Sequence, residues 1–584
     1  MKGRWQLPAL AFLVAGVCLF GRLGSLPLLQ PDEGRNAEVA REMKDAGTWL
    51  VPTYDGLPYL DKPACYFRLV AFSLSVLGEN ETAARLPTAL AALALLALVY
   101  AFSRRAYGER AAALAVLVVG TTPLVVAFAR IVIFDMVLAL FVVAAILAGY
   151  HAEERDGAAR ARWYVAGAVA AAVAVLIKGP VGILLPLLVL IAFDLLDHNR
   201  PAIRRLFAPL NQLVFLAIVL PWFFGVAVRR HDFPYYGLVE ESLHRFTTPA
   251  FHRTAPFWYY LPVVAAVLFP WSALVPESVA AAWRGRARWT RADRLLIVWS
   301  AVVVLFFSVS QSKLPGYVLT AIVALGMLTG RVLDLAAERP DGRARGVVRR
   351  ATAALAVVSL AAAGLLAAGT ATEGGLPALL HIRGSDGALL APATLPLLWC
   401  TLGLAAVAVL ARWRRHLGLS CAAFALPPLL LLTVGFEGAR AYAEADSGRG
   451  LARVLPPLPP GTGLACIECL PNGVPFYLKR TMTLITRDGS ETSSNYAVYV
   501  LGRSPRWPAG VVRRSELDEW AAGRDGPTFV LAESRGRQAL DSLAWRAWAK
   551  VQPIAPGWWG ALLPPPTDSA APPPLPPPPQ PEGR

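Results

Sequence analysis

Apolar runs about as long as a bilayer is thick recur along the first three quarters of this chain, and few folds can accommodate them. "AALALLALVYAF" (91–102), "FLAIVLPWFFGVAV" (215–228) and "AVVVLFFSV" (301–309) are typical. A helix of roughly 20 apolar residues crosses the hydrocarbon core with every backbone polar group satisfied internally. Charge is sparse to match: 16% of residues are charged and 56% hydrophobic, where a soluble domain carries roughly a quarter charged. The pattern predicts a polytopic all-α membrane protein with about thirteen spans. They fall near 7–23, 84–103, 111–128, 131–150, 163–178, 180–196, 208–228, 257–277, 295–311, 315–334, 351–370, 391–411 and 417–435.

The net charge of +16 would raise the question of nucleic acid in a soluble chain. Its location answers otherwise. "SRRAYGER" (103–110), "HNRPAIRR" (198–205), "WRGRARWTRADR" (283–294), "RPDGRARGVVRR" (339–350) and "RWRRH" (412–416) all lie between apolar spans. Short linkers rich in Lys and Arg stay cytoplasmic. The first run follows Lys2 and Arg4 without a small-residue cleavage site and reads as a retained span. Alternation from an inside start puts these linkers, with the mixed 151–162, on one face. The other, extracytoplasmic face receives the 24–83 loop, short turns near Arg130, Gly179 and Lys313, the 229–256 loop and everything after 435.

The expected organisation is a transmembrane domain over 1–435, an extracytoplasmic α/β domain over 436–562 and a proline-rich disordered tail over 563–584. Strand-like runs in the second are "PFYLKRTMTLITR", "YAVYVLG" and "PTFVLAE", with a helix-like "SELDEWAAG" between the last two. Cys466 and Cys469 in "CIEC" lack a second pair or a nearby His, which argues against zinc there and leaves a local disulfide open.

Charge concentrates in the first outward loop. "DEGRNAEVAREMKDAG" (32–47) reads as a helix, with Asp32 as N-cap, acids in the first turn and Gly47 as its end. Glu38–Arg41 and Arg41–Asp45 fit surface pairs. By spacing alone this is a short interfacial helix with Asp32 capping it. The other outward turns add Asp135 in "IFDMV", Lys178 in "LIKGPVG", and Lys313 and Tyr317 in "SKLPGYVL". The 229–256 loop adds His244, Arg245, His252 and Arg253. Ionisable groups at membrane depth are costly and point to function. "PFWYY" (256–260) fits an interfacial aromatic belt.

Five stretches carry a resemblance: "PDEGRNAEVAREM…GTWLVPTYDGLPYLDKP", "FDMVL", "IKGP", "HRFTTPAFHRTAPFWYYLPV…PW" and "SKLPGYVL". In order and spacing they resemble the aminoarabinose transferase and protein O-mannosyltransferase group of integral membrane glycosyltransferases, which have the GT-C fold. The likeness is strongest to the lipid A aminoarabinose transferases. It implies transfer of a sugar from a polyprenyl-phosphate carrier to an extracytoplasmic acceptor (lipid A, another glycan or a protein) by a multi-pass protein of the bacterial inner membrane. No P-loop or dinucleotide fingerprint points to a nucleotide-sugar donor, and no nucleic acid partner is expected.

The resemblance also implies roles. Asp32 and Asp135 take catalytic positions, Asp32 as the base for an acceptor hydroxyl or the group that orients an acceptor phosphate. Arg35, Lys62, Lys313, Arg245 and Arg253 fall where the donor phosphate binds, and Glu33, Tyr59, Lys178 and Tyr317 where substrate does. Asp61 with His244 or His252 is the expected place for a divalent metal, zinc or manganese. Two departures bear on substrate and metal: Asn36 replaces the usual aromatic, and Asp61 replaces a glutamate. The alternative class is a membrane transporter or lipid flippase, which would place ionisable groups near the midplane, often on broken helices.

Overall fold

The computed structural model describes residues 6–248, 254–284, 290–372, 376, 379–380, 385–445 and 447–566. His252, Arg253 and the tail from 567 lie outside them. The chain divides into two compact units. One holds the residues up to Leu28, Met43–Pro52 and Lys62–Asp446; the other holds Leu29–Glu42, Thr53–Asp61 and the residues from Ser447. Two pieces of the first loop thus belong with the C-terminal quarter.

The first unit is helical. Its early helices are α1 (Gln6–Phe20), α2 (Asp32–Ala46, which it shares with the other unit), α3 (Cys65–Leu77), α4 (Glu81–Tyr107), α5 (Glu109–Gly120), α6 (Pro123–Ala129), α7 (Asp135–Ala152), α8 (Gly157–Lys178), α9 (Val181–Leu196), α10 (Arg200–Leu206) and α11 (Pro209–Arg229). Among the described residues eight helices are long and apolar enough to cross a membrane, or eleven if bent pairs count as one span each. The bent pairs are α5 with α6, Phe257–Val267 with Trp271–Ala281, and Leu417–Thr433 with Phe436–Ala445. The other two expected spans fall on the shorter apolar helices α1 and α9.

Local chemistry sets the breaks. Asn80 caps α4 by accepting from Ala83 N at 2.9 Å, and Thr290 and Asp293 form a reciprocal capping box at the start of Arg291–Val309. Gly179, at φ 83°, takes the left-handed turn that ends α8, and Pro180 then opens α9. One helix was not expected: α3 lies inside the charged first loop. At 13 residues it is too short to span, and it leaves Leu69, Phe72, Val76 and Leu77 exposed.

The second unit is built on a six-stranded sheet of order β5-β4-β3-β6-β8-β7. The strands are β3 (Gly463–Ile467), β4 (Thr483–Thr486), β5 (Val511–Arg513), β6 (Thr528–Glu533), β7 (Gln552–Ala555) and β8 (Trp558–Leu563). The first four are parallel and β8 runs antiparallel to β6 and to β7. Its core gathers Ile467, Ile485, Val530, Leu540 and Leu543.

"YAVYVLG", expected as a strand, is instead the helix Asn495–Leu501. Ser494 Oγ accepts from Ala497 N at 3.2 Å, so capping outweighs the β-propensity of its Tyr and Val residues. "PFY" is likewise helical, within Val474–Leu478. Cys466 and Cys469 are buried free thiols.

The first loop adds a hairpin to this unit, β1 (Thr53–Tyr54) and β2 (Leu57–Pro58). Asp55 and Gly56 both have positive φ, 52° and 75°, as a two-residue primed turn requires. Leu57 packs with Leu501 and Val511.

Candidate active-site groups

In the second unit the helix expected at 32–47 forms as α2, ending before Gly47, which has φ 64°. It is not an interfacial surface helix: Glu33 to Met43 are all buried. Gly34 explains part of that. A Cβ there would stand 2.7 Å from Gly473 Cα, so only glycine lets the two backbones meet.

Asp32 is the first helical residue rather than the cap. Its carboxylate pairs with Arg35, and Glu33 Oε2 accepts from Leu29 N at 3.1 Å. The Asp32 side chain keeps 55% exposure while Arg35 keeps 9%. Arg35 is held by donation from Nη1 to Ser493 O at 2.8 Å, and its guanidinium lies 5.6 Å from the Tyr59 ring centroid. An exposed carboxylate is thus oriented by a buried, braced cation.

Behind it lies an acidic core. Glu38 and Arg41, expected as a surface pair, form a buried bidentate one, with Nε to Oε2 at 2.7 Å and Nη2 to Oε1 at 2.6 Å. Burial pushes Glu38 up to about 7 against the pull of Arg41. Glu42 accepts from Thr53 Oγ1 at 2.6 Å and from the amides of Asp55 and Gly56 at 2.6 and 3.1 Å. Asp55 accepts from Met482 N at 2.6 Å, and burial holds its pKa well above the usual range. Tyr54 donates its hydroxyl proton to Asn472 Oδ1 at 2.7 Å.

Asp61 closes this group. Its two oxygens accept from Asn495 N at 3.1 Å and Tyr496 N at 2.7 Å, at the start of the helix Asn495–Leu501.

In the first unit the αα-hairpin of α7 and α8 brings together Asp135, which opens α7, and Lys178, which ends α8. Each ion stands at the helix end whose dipole favours it. Lys178 Nζ lies 2.5 Å from Asp135 Oδ1, 4.9 Å from the Phe134 ring centroid and 5.1 Å from that of Tyr317. Lys62 Nζ lies 5.9 Å from the same Phe134 ring and is paired with Glu241. Two ammonium groups therefore share one aromatic ring, each balanced by a carboxylate.

Lys313 is buried and donates to Ser310 O at 2.5 Å. Tyr260, buried rather than in an aromatic belt, both donates to Leu314 O and accepts from Leu314 N at 3.2 Å. It fixes the turn that carries Lys313 and Tyr317. Phe257 and Trp258 stay exposed as a belt requires.

His244 Nδ1 faces Glu240 Oε2 at 3.0 Å, and Arg245 begins the short helix Arg245–Thr247. Lys44 is paired with Glu79 and lies 3.0 Å from Asp45. Sequence reasoning missed Glu241, Phe134 and Asn472. Glu241 stands in "EESLH", among the charges of the 229–256 loop, and could have been weighed as a partner for Lys62.

Residues 61–224 match the family described as dolichyl-phosphate-mannose-protein mannosyltransferase. The chain is 31% identical over 341 residues to the undecaprenyl phosphate-alpha-4-amino-4-deoxy-L-arabinose arabinosyl transferase of Edwardsiella ictaluri, covering 58% of this chain and 61% of that protein. It is 32% identical over 334 residues to the protein of the same name from Serratia proteamaculans, covering 56% and 59%. The matched stretch thus spans about three fifths of these relatives' length. The crystal structure of ArnT from Cupriavidus metallidurans bound to undecaprenyl phosphate superposes with TM-score 0.81 at 28% identity, over 95% of this chain and 97% of that one. Its apo form gives TM-score 0.78 at the same identity and coverage. The chain is a polytopic membrane protein that resembles the aminoarabinose transferases in sequence over more than half its length and shares their GT-C fold over nearly all of it.

Proposed function

We propose that the chain is a glycosyltransferase of the bacterial inner membrane. It moves a sugar, 4-amino-4-deoxy-L-arabinose in the first instance, from undecaprenyl phosphate to an extracytoplasmic acceptor, lipid A foremost. One observation carries this: the fold matches ArnT, solved with undecaprenyl phosphate, over nearly the whole chain. In this reading the chain crosses the membrane thirteen times, counting α1 and α9, with the arginine-rich linkers in the cytoplasm. The first-loop segments and the sheet-based unit lie outside.

The reaction breaks the bond between the sugar's anomeric carbon and the phosphate oxygen, while an acceptor oxygen bonds to that carbon. Charge builds on the departing phosphate. Lys62 and Lys178 supply fixed positive charge there, and the carboxylates of Glu241 and Asp135 hold both ammonium groups in place until phosphate arrives. Arg245, Arg253 and Lys313 are assigned to the same phosphate, and Tyr59, Tyr317 and Glu33 to substrate contacts, on resemblance. Asp32, oriented by Arg35, takes the proton of an acceptor hydroxyl; an acceptor phosphate already ionised needs only to be oriented.

The expected metal set fits poorly. Asp61 spends both oxygens on backbone amides, His244 faces Glu240, and among the described residues no three His, Cys, Asp or Glu side chains gather as a metal site. No step is assigned to a metal. A transporter would carry its ionisable groups at mid-membrane, whereas Asp135 and Lys178 stand at helix ends.

The test is mass spectrometry of lipid A from cells with and without the gene, with purified protein supplied with undecaprenyl-phosphate-linked aminoarabinose. A mass increase of one aminoarabinose in the gene's presence, and transfer by the pure protein, support the reading. Pure protein that moves polyprenyl phosphate across vesicles yet transfers no sugar overturns it.

A further inference from the structure

At the closed end of the α7–α8 hairpin the first unit contains a second feature, unrelated to the phosphate-binding lysines. A cavity of about 260 Å³ opens among α7, α8, α9, α10 and α11. It reaches Gly149 on α7 and Gly167 on α8. These lie 14 residues beyond Asp135 and 11 before Lys178, so roughly 17–21 Å along the helix axes from that pair. That is more than half of a hydrocarbon core of roughly 30 Å. The cavity therefore belongs to the opposite leaflet.

Its walls are apolar. Ala168, Ala171, Ile183, Leu190 and Phe215 are representative. The three polar lining residues already have partners. Tyr164 donates to Glu153 at 2.7 Å, Asn211 to Arg205 O at 2.9 Å and Gln212 to Phe207 O at 2.7 Å. A polar solute would find little to bind, and the volume falls below the roughly 300–1,000 Å³ of small-molecule pockets. Around it Leu184, Leu188, Phe207, Leu213 and Leu216 are exposed, as side chains facing lipid would be.

Three exposed arginines adjoin the lining residues. Arg200 and Arg204 are exposed on α10, just before the lining residues Leu206 and Phe207, and Arg162 is exposed two residues before Tyr164. Arg205 and Asn199 are drawn inward by Glu153, at 2.7 Å each. That half-buried cluster ties α10 to the end of α7, while Arg200, Arg204 and Arg162 stay outward.

An apolar slot beside exposed guanidinium groups, between membrane-spanning helices, has the chemistry of one ligand class. We infer that it holds an acyl chain of an anionic phospholipid of the arginine-side leaflet, whose phosphate is met by Arg200 and Arg204. The occupant is a resident membrane lipid, distinct from the polyprenyl-phosphate substrate at the other end of the helices.

The test is native mass spectrometry of the full-length protein, delipidated in detergent and then offered phosphatidylglycerol or phosphatidylethanolamine with identical chains. One phosphatidylglycerol per chain should be retained, at least ten-fold in preference to phosphatidylethanolamine. Arg200→Glu with Arg204→Glu should abolish the preference, and Ala168→Phe, which fills the slot, should abolish retention. Two surface charges are unlike a core change, so the first variant keeps the test meaningful if the second misfolds. Equal retention of the two lipids, displacement by undecaprenyl phosphate at equimolar level, or retention unchanged in the arginine variant overturns the inference.

Discussion

Lys178 Nζ lies 2.5 Å from Asp135 Oδ1, across the open end of a helical hairpin whose two dipoles favour both charges. Both side chains are nearly buried, so neither charge can lose its partner cheaply. Asp135→Asn should destabilise the protein by about 3–5 kcal/mol, the scale for an orphaned buried ion. Asp135→Asn with Lys178→Gln should recover most of that loss without restoring transfer. Thermal unfolding in detergent and a donor-turnover assay on the same samples separate the effects. Equal melting of wild type and Asp135→Asn would show that the pair has no structural weight.

Asp32 carries an exposed carboxylate and caps no helix, and Arg35 keeps its bond to Ser493 O without it, so its loss should cost only modest stability. Asp32→Asn is expected to lower kcat by roughly 100-fold or more with the protein still folded. Purified variant and wild type, assayed with a polyprenyl-phosphate sugar donor, decide the matter. Wild-type turnover in the variant removes Asp32 from the mechanism.

Glu241 is paired with Lys62, and in the proposed mechanism it competes with the donor phosphate for that ammonium. Lys62→Ala should raise KM for the donor, and Lys62→Arg should restore part of it. Glu241→Gln should instead lower the donor KM, because the ammonium no longer has a resident anion to exchange. If Glu241→Gln raises KM as much as Lys62→Ala does, the carboxylate positions the lysine and does not compete.

Glu38 is raised to about 7 by burial, from 4.5. A carboxyl whose pKa is raised on folding binds its proton more tightly in the native state. Its contribution to stability is complete below about 4.5 and is lost as pH rises to about 7. Asp55 shifts the same way. Wild-type melting temperature should therefore fall across that window relative to Glu38→Gln, whose curve should be flatter. Parallel curves would show that Glu38 titrates normally.

Asp61 holds two backbone amides at one helix start. Its replacement by Ala should cost about 1.5–3 kcal/mol, the range for hydrogen bonds to a charged group. Chelator should change neither melting nor turnover of the wild type. Loss of activity in chelator, restored by zinc or manganese, would establish a metal.

Much of this was legible because membrane crossing is a property of composition and length alone. The apolar runs announced their helices, and Gly47 and Gly179 announced their ends. The helix at Asp32 was legible as well, but its burial was not. Glu38 and Arg41 look like a solvent-facing pair by spacing, and only Gly34 against Gly473, over four hundred residues away in the chain, shows why that face is enclosed. "YAVYVLG" misled for a similar reason. Its strand-like side chains were overruled by Ser494 and by Asp61, whose place in the chain gives no hint of the contact. Glu241 as the partner of Lys62 is separated from it by 179 positions. Local pattern cannot carry such pairings.

The sharing of the first loop with the C-terminal unit has a consequence for biogenesis. Arg35, which orients Asp32, is held by a carbonyl 458 positions further on. At translation rates of about 5–20 residues per second, that partner emerges roughly 20–90 s after the arginine does. Through this interval Arg35 lacks the carbonyl that holds it, while the helices of the first unit are already made. On the function proposed above, a nascent or prematurely terminated chain is expected to be inert, and transfer to begin only once the last quarter of the polypeptide has been made.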